Sequence, residues 1–465
     1  MNSKLYMRLL CIAVAVDSAV YGYDTAVVSG TVEAVRTHFH LTPLEVGSIV
    51  SSALLGCVAG VLLVGRLTDW FGRRKMFMLS ALVFLISALW CYAAGSFTEL
   101  VCARILGGIG VGFASILVPI YIAEISPPGS RGALVSLHQF GIVTGMNLAY
   151  VANAWIGRGG DEVWLADQGW RVMLGACGIP ALIFLILTPF IPESPRWLIK
   201  RGRDSAALNT LRRLHGESAA LAEAQEIRET VRQEQGKIRD LFRPGVRIVI
   251  FMAMTLALFQ AITGINVTLY YAPSIFASVG VGTASALIQQ AIVGSALIFG
   301  TISSFFVVDW LGRRPIMLMA ISTMGLSLAL MGLFFSTSGG GGWGLLACTL
   351  LYVYAFNFGM GGIYWVMISE VFPTKTRGAA ASLSAMFLWG GNYVVLLFFP
   401  IMLEALKGHV FYVYAFVCVL CFAFMWYFVP ETKGKTLEKI EHELYGVDGR
   451  KKTVPTGAGE GLITP

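Results

Sequence analysis

Two carboxylates stand where carboxylates are costly. Asp17 and Asp24 lie in one apolar run near the start of the chain, the second within "VYGYDTAVVSG" (20–30). A charge placed mid-span in hydrocarbon costs about 2.5–3.5 kcal/mol on insertion scales, so such a group calls for a function and a partner. A carboxyl there can take up and release a proton as its surroundings change. Arg104, in a later apolar run, is the candidate partner of Asp24 by depth. If the first span starts near Leu9, Asp24 lies about 22 Å along it. That leaves roughly 8 Å to the far edge of a core roughly 30 Å thick. A span that enters from the far side near Leu100 puts Arg104 about 6 Å down, so the two can meet. Asp17 precedes Asp24 by seven residues, about two helical turns, and shares its face roughly 10 Å away. It is the rival cation carrier, and Asp24 ordering a helix pair is the structural alternative.

Amides make the second set. Gln139, Gln260, Asn266 and Asn357 all fall in apolar runs. Amides in hydrocarbon are costly unless satisfied, so these four are expected to face an inner cavity. Helix–helix hydrogen bonding is their other possible use. The six histidines are scattered without ligand spacing, so no metal site is expected. His138, beside Gln139, is the only one well inside a span; packing is expected of it rather than proton relay. All eight cysteines fall in apolar stretches. Cys418 and Cys421 spell C-x-x-C in the last of these, which reads as packing rather than metal or redox chemistry. No glycine-rich phosphate loop is present in the polar insert, and no cofactor is expected.

These groups need long apolar helices to hold them. Of 465 residues, 56% are hydrophobic and 13% charged, and the mean hydropathy is +0.71. A soluble domain cannot hide that much apolar side chain, so the bilayer is part of the solvent. A spanning helix needs about 20 mostly apolar residues. About twelve such stretches are present, centred near Val20, Gly56, Ile86, Ala114, Thr144, Ile183, Ile262, Ala296, Met324, Val353, Leu388 and Ala423. The fold class is therefore an all-α membrane protein with twelve transmembrane helices. The formal charge of +7 does not mark a nucleic-acid binder, because the basic residues follow loop parity. Arg66, Arg73, Arg74 and Lys75 follow the second span, Arg131 the fourth and a large cluster the sixth. Arg313 and Arg314 follow the eighth, Lys375 and Arg377 the tenth. The positive-inside rule then places both termini in the cytoplasm. Lys4 and Arg8 before an apolar run mimic a secretory signal, but no A-x-A site closes it and the run continues, so a retained first span is expected.

The chain repeats itself. "GRLTDWFGRRK" (65–75) recurs as "VVDWLGRRP" (307–315), "AEISPPGSRGALVS" (123–136) as "SEVFPTKTRGAAAS" (369–382), and "PESPRW" (192–197) as "PETKGK" (430–435). Asp69 and Asp309 stand 240 residues apart, Glu124 and Glu370 246, Pro192 and Pro430 238. Nearly one offset implies a duplicated six-span unit. The expected organisation is a six-helix half over 1–195, a cytoplasmic linker with amphipathic helices over 196–244, a second half over 245–430 and a cytoplasmic tail over 431–465. Duplicated bundles with sites at the repeat interface are the plan of secondary transporters, which rock one half against the other. The repeated motifs place Asp69, Arg73, Arg74, Glu124, Arg131, Glu193 and Arg196 on loops of the first half. Asp309, Arg313, Arg314, Glu370, Arg377 and Glu431 match them in the second. Asp69 with Arg73 and Arg74, and Glu124 with Arg131, are expected to form ion pairs that latch one conformation. The simpler reading is topology and solvated helix ends, since exposed pairs are worth about 0–1 kcal/mol.

At these residues the sequence resembles the sugar porter family of the major facilitator superfamily. "GRLTDWFGRRK", "PESPRWL", "PETKGKTLEKIE", "RILGGIGVGFASILVPIYIAEISP" and "QAITGINVTLYYAP" are in family style and order, over nearly the whole chain. "YGYDTAVVSGTVE" is most similar to the bacterial xylose–proton symporter and its relatives; mammalian glucose facilitators carry asparagine at the place of Asp24. The resemblance implies a sugar site shared between the halves. Gln139, Gln260 and Asn266 match sugar-binding amides, Tyr270 an aromatic gate, and Trp365 and Trp389 pocket tryptophans. Amides are bidentate partners for hydroxyls, and indole faces cover the C–H surface of a pyranose. Asp24 and Arg104 match the aspartate–arginine pair of the proton symporters. The departures are Ala261, Leu297, Leu388 and Met146, where the family or the xylose symporter has amides. Cys177 stands where the latter has a membrane glutamate, and Asp17 where glycine is usual.

The expected function is import of a monosaccharide, hexose or pentose, with a proton by alternating access, by a monomer in the lipid bilayer of the plasma (inner) membrane. A facilitator without cation coupling shares the fold. A non-transporting sugar sensor is the reading from another class, against which the short stretch from Glu431 to Pro465 counts. An enzyme is not expected, for want of an acid–base pair or metal cluster.

Overall fold

In a computed structural model, which describes residues 3–127, 130–233, 246–336, 342–364, 367, 377–429 and 431, every regular element among the described residues is helical. The first five long helices are α1 (Ser3–Val27), α2 (Pro43–Phe71), α3 (Arg73–Ala93), α4 (Phe97–Ile125) and α5 (Arg131–Arg158). The sixth crossing is broken into Trp170–Gly175 and α6 (Gly178–Leu187). The polar insert holds α7 (Pro195–Lys200), α8 (Asp204–His215) and α9 (Glu217–Gln233). Then follow α10 (Val246–Ile262), α11 (Ile265–Ser278), α12 (Thr283–Leu311), α13 (Arg313–Ser336), α14 (Trp343–Ala355), α15 (Arg377–Leu406) and α16 (His409–Phe428).

Among the described residues, eleven segments are long and apolar enough to cross a membrane. The twelfth expected crossing, α5, has 28 residues but is not one of the eleven by composition. It carries His138, Gln139, Asn147 and Asn153, polar groups that a lipid-facing helix would not hold. α5 lies along α1, and the approach is close because glycines face backbone. A Cβ at Gly22 would stand 2.0 Å from the Ile142 carbonyl oxygen, and one at Gly145 2.0 Å from that of Ala19. Small residues that let backbones meet drive helix association in lipid, where the hydrophobic effect does not. This contact sets the position of α1, and with it Asp17 and Asp24.

At the basic-loop end the repeated motifs build one device twice. α2 ends and α3 begins at Gly72 (φ +87°); α12 ends and α13 begins at Gly312 (φ +93°). Each glycine exposes the first N–H groups of the next helix to a distant carboxylate. Arg73 and Arg74 N–H donate to Glu193 (2.7 and 3.3 Å), and Arg313 and Arg314 N–H donate to Glu431 (3.1 and 3.0 Å). A carboxylate at a helix N-terminus satisfies orphan donors and meets the positive end of the dipole. Burial pushes the Glu193 carboxyl above its ordinary range, and the N–H bonds from Ser194, Arg73 and Arg74 pull it back. The guanidinium groups repeat as well: Arg74 donates to the Pro189 carbonyl and Arg314 to that of Trp426.

The expected pairings among these residues change accordingly. Glu124 pairs with Arg73 through two bonds (2.6 and 2.9 Å) and not with Arg131, which donates at 3.5 Å to the Ser126 carbonyl. Asp69 pairs with Lys200 of α7 at 3.1 Å rather than with Arg73 or Arg74. Its carbonyl accepts from Trp197 and Arg201 as well, so α7 is tied to the end of α2. Arg73 reaches past its sequence neighbours because a bidentate carboxylate in a half-buried site outweighs an exposed one. Glu370 and Trp365 lie outside the described residues, as do the side chains of Asp309 and Arg377. Arg196 lies on α7.

A Cβ at Gly72 would stand 2.3 Å from Glu193 Oε2, and one at Gly312 2.8 Å from Glu431 Oε2, both at positive φ. Gly72→Ala and Gly312→Ala are each expected to lower stability by about 1–3 kcal/mol. Gly65, which faces open space, is the control. Unfolding midpoints in detergent check this; equal midpoints for all three variants would contradict it.

Candidate functional site

Asp24 on α1 and Arg104 on α4 meet inside the protein, 3% and 1% exposed. Arg104 Nη1 donates to Asp24 Oδ1 at 3.2 Å and to the Asp24 carbonyl at 3.1 Å. The pair is held by one side-chain bond. Among the described residues, Asp24 Oδ2 and Arg104 Nε and Nη2 are buried without a partner. Gly107, one turn beyond Arg104, leaves room for the carboxylate: a Cβ there would lie 3.0 Å from Asp24 Oδ1 and 2.6 Å from Ser87 Oγ of α3. Cys91, Cys177 and Tyr270 surround the guanidinium within electrostatic reach. Cys177 is buried at 1% exposure, so no second carboxylate stands at that point.

The seventh crossing breaks at Thr263 and Gly264, between α10 and α11, where Gly264 takes φ +90°. The break frees the Thr263 carbonyl, which accepts from the Tyr352 hydroxyl at 2.9 Å. Broken helices at a repeat interface are where transporters place their sites. Gln260 and Asn266 flank this break. Gln260 is buried, donates to the Met360 carbonyl at 3.1 Å and has no partner for its Oε1 among the described residues. Asn266 is half-buried and donates to Asn392 Oδ1 of α15 at 2.7 Å. Asn357, in a wide turn after α14, bonds back to the Val353 carbonyl at 3.1 Å. Trp389 and Gln139 are half-buried. Beside Trp389 and Asn357, Gly390 and Gly362 have no atom within 4 Å of where a Cβ would stand. Tyr270 is buried, and its hydroxyl meets that of Thr25, the residue after Asp24. His138 Nδ1 lies 2.8 Å from Ser18 Oγ, a helix-to-helix contact as expected of a packing residue.

At the end away from the basic loops the two sets of helices close on each other. Tyr150 of α5 donates to the Leu269 carbonyl of α11 at 3.3 Å, and Leu287 fills the face of Gly157. A cavity of only ≈ 30 Å³ remains there, lined among others by Gly30, Trp170, Pro273 and Leu287. That is about the room of one water.

The family described as "Sugar (and other) transporter" matches residues 10–444. The chain belongs to this sugar transporter family. Among curated relatives of this sugar transporter, the arabinose-proton symporter of Bacillus subtilis is 37% identical over 442 residues, 95% of each chain. The D-xylose-proton symporter of Escherichia coli K12 is 39% identical over 469 residues, 94% of this chain and 95% of that one. Among solved structures, the inward open conformation of the xylose transporter XylE from E. coli aligns with a TM-score of 0.85 at 37% identity, covering 94% of this chain and 100% of that one. The symporter bound to 6-bromo-6-deoxy-D-glucose aligns at 0.78 and 38% identity, covering 95% and 100%. The open space beside Trp389 and the closed far end agree with the better match to an inward open form.

Sequence reasoning on this sugar transporter missed three polar groups. Asn392 holds Asn266, and its signal was its position three residues after Trp389 on one helix face. Gln290, in "LIQQA", donates to the Leu269 carbonyl at 2.8 Å. Asn153 of α5 donates to the Val27 carbonyl at the end of α1. Both lie in apolar runs, where an amide is itself a signal.

Removing one partner of a buried ion pair strands the other. Arg104→Gln is expected to cost about 3–5 kcal/mol, and the double variant Asp24→Asn/Arg104→Gln to regain most of it. Unfolding midpoints of the four proteins in the double-mutant cycle check this; simply additive losses would contradict the pairing.

Proposed function

We propose that this sugar transporter carries a monosaccharide, a hexose or pentose, together with a proton by alternating access in the plasma membrane. Both termini and the 196–244 insert lie in the cytoplasm on this reading, which the basic loops support, and the unit is a monomer of two six-helix halves. The observation that carries it is the buried Asp24–Arg104 pair. The named activities of the arabinose-proton and D-xylose-proton relatives support the same reading.

The ion pair exists only while Asp24 is deprotonated. A proton on Asp24 cancels one charge and leaves Arg104 buried without a counterion, at a cost of about 3–5 kcal/mol. Relief comes from rearrangement of α1 against α4, and α1 touches the second half through Thr25 and Tyr270. Sugar hydroxyls meet Gln139, Gln260, Asn266 and Asn392, with Trp389 as the apolar face and Tyr270 as the gate. Sugar and proton thus act on the same helix α11, at its two sides. One proton crossing about 150 mV supplies roughly 3.5 kcal/mol, enough for some 300-fold accumulation. Ala261, Leu297, Leu388 and Met146 are all buried and offer no hydrogen bonds to a hydroxyl, so the site discriminates on fewer hydroxyls than the xylose symporter's.

Uptake into proteoliposomes, with arabinose, xylose and glucose and an imposed pH or sodium gradient, tests the reading. Asp24→Asn is expected to abolish accumulation and to leave measurable exchange. Gln260→Ala and Asn266→Ala are expected to weaken sugar binding by about 1–3 kcal/mol. Accumulation by Asp24→Asn would take the coupling away from Asp24, and gradient-independent uptake by the unaltered protein would leave a facilitator instead.

A further inference from the structure

Asp17, the other carboxylate of α1, has no part in the ion pair. Its side chain is 0% exposed. Ser80 Oγ of α3 donates to it, 3.1 Å from Oδ1 and 3.4 Å from Oδ2. Among the described residues no cation pairs with it, although α1 is packed by α3, α4, α5, α6 and α8. The following charged and titratable groups of those helices are engaged elsewhere, as is Arg171 of the adjoining Trp170–Gly175 segment, which donates to the Tyr92 and Ala94 carbonyls. On α3, Arg73 holds Glu124; on α4, Arg104 holds Asp24 and the Tyr121 hydroxyl donates to the Pro192 carbonyl. On α5, His138 meets Ser18; next to α6, Cys177 lies by the Asp24 pair. On α8, Arg212 pairs with Glu217 and His215 with Glu223.

The register of the two helices adds the second observation. Ser80 and Ser87 are seven residues apart on α3, as Asp17 and Asp24 are on α1, and the first and third crossings run the same way. The result is two levels about 10 Å apart at which a serine of α3 stands beside a carboxylate of α1. Ser80 donates to Asp17 at the level nearer the basic loops; at the other, Ser87 lies across the Gly107 gap from Asp24 and donates to the Ala103 carbonyl. Phe84 lies between the two serines on α3, fully buried, with its ring 3.1 Å from where a Cβ of Gly110 would stand. A helix-joining hydrogen bond alone would be served by asparagine at lower cost. A buried carboxyl without a cation exchanges a proton rather than keep a bare charge.

We propose that Asp17 is a second proton-binding site, which takes the proton from Asp24 and passes it to the basic-loop side. This rests on the proton-coupled reading above. In the step the Asp24 O–H bond breaks and its electron pair stays on Asp24, which regains Arg104. A water carries the proton to the carboxylate of Asp17, where a new O–H bond forms, and Asp17 releases it to water at the open end. One proton moves, and nothing is oxidised or reduced. Ser80 donates to Asp17 while it is charged. Phe84 stands between the two serines along α3, with its ring against Gly110 of α4; in the proposed transfer the ring turns aside, which ties proton release to the movement of α1 against α3.

The test uses the purified transporter in proteoliposomes with a pH-sensitive dye inside. It compares sugar-driven proton flux with sugar exchange for the unaltered protein, Asp17→Asn, Asp17→Glu and Asp24→Asn. Asp17→Asn is expected to lower the ratio of proton flux to exchange by about tenfold or more and to flatten its dependence on internal pH. Asp17→Glu is expected to restore both. An unchanged ratio and pH profile in Asp17→Asn, with coupling lost in Asp24→Asn, would overturn this proposal and leave the proton-coupled reading standing. Equal loss of flux and exchange in both Asp17 variants would make Asp17 a structural residue and also overturn it. No sugar-driven proton flux in the unaltered protein, or flux that follows sodium, would overturn both.

Discussion

A guanidinium and a carboxylate share one side-chain hydrogen bond deep inside the bundle, with Ser87, Cys91, Cys177 and Tyr270 around them. Everything else in the structure either makes this pair tolerable or makes it breakable. It is tolerable because Gly107 leaves space for the carboxylate and because Arg104 also reaches the Asp24 carbonyl. It is breakable because three of its buried polar atoms have no partner. A bidentate pair with every donor satisfied would be a fixed strut. A single bond between under-satisfied charges is poised, so that one proton tips the balance.

The elements around the pair divide into rigid and yielding parts. The glycine-mediated contact of α1 with α5 and the paired helix caps at Glu193 and Glu431 hold backbones at fixed distances. The ion pairs at the basic-loop end, Arg73 with Glu124 and Asp69 with Lys200, join helices of the first set to one another. They stiffen that set as a body. The yielding part is the seventh crossing, broken at Gly264, whose two arms carry Gln260 and Asn266 on one side and Tyr270 toward Thr25 on the other. On the proposed function sugar and proton therefore act on one hinge, which would give each ligand a differential affinity for the two conformations.

How much of this was legible in the sequence depended on the range of the interaction. The crossings followed from apolar run lengths, and the meeting of Asp24 with Arg104 from depth together with the family resemblance, because hydrocarbon thickness is a constraint that acts along one axis. The duplicated motifs were visible, but their partners were not. Glu193 lies 120 residues from Arg73, and a pattern of neighbours suggested Asp69 for Arg73 and Arg131 for Glu124, where the fold pairs Arg73 with Glu124 and Asp69 with Lys200. The amide partner of Asn266 was hidden for the same reason, since Asn392 comes from a helix 126 residues away. The polar character of α5, with His138, Gln139, Asn147 and Asn153 along it, was the mark of an interior helix.

The central claim is that sugar binding and a proton on Asp24 favour the same rearrangement. The most direct measurement is proton uptake on adding saturating sugar to the purified protein in weakly buffered detergent solution, read with a pH indicator. Linkage gives about one proton taken up per transporter at a pH where Asp24 is largely ionised. Sugar binding with no proton exchanged at any pH would contradict the account.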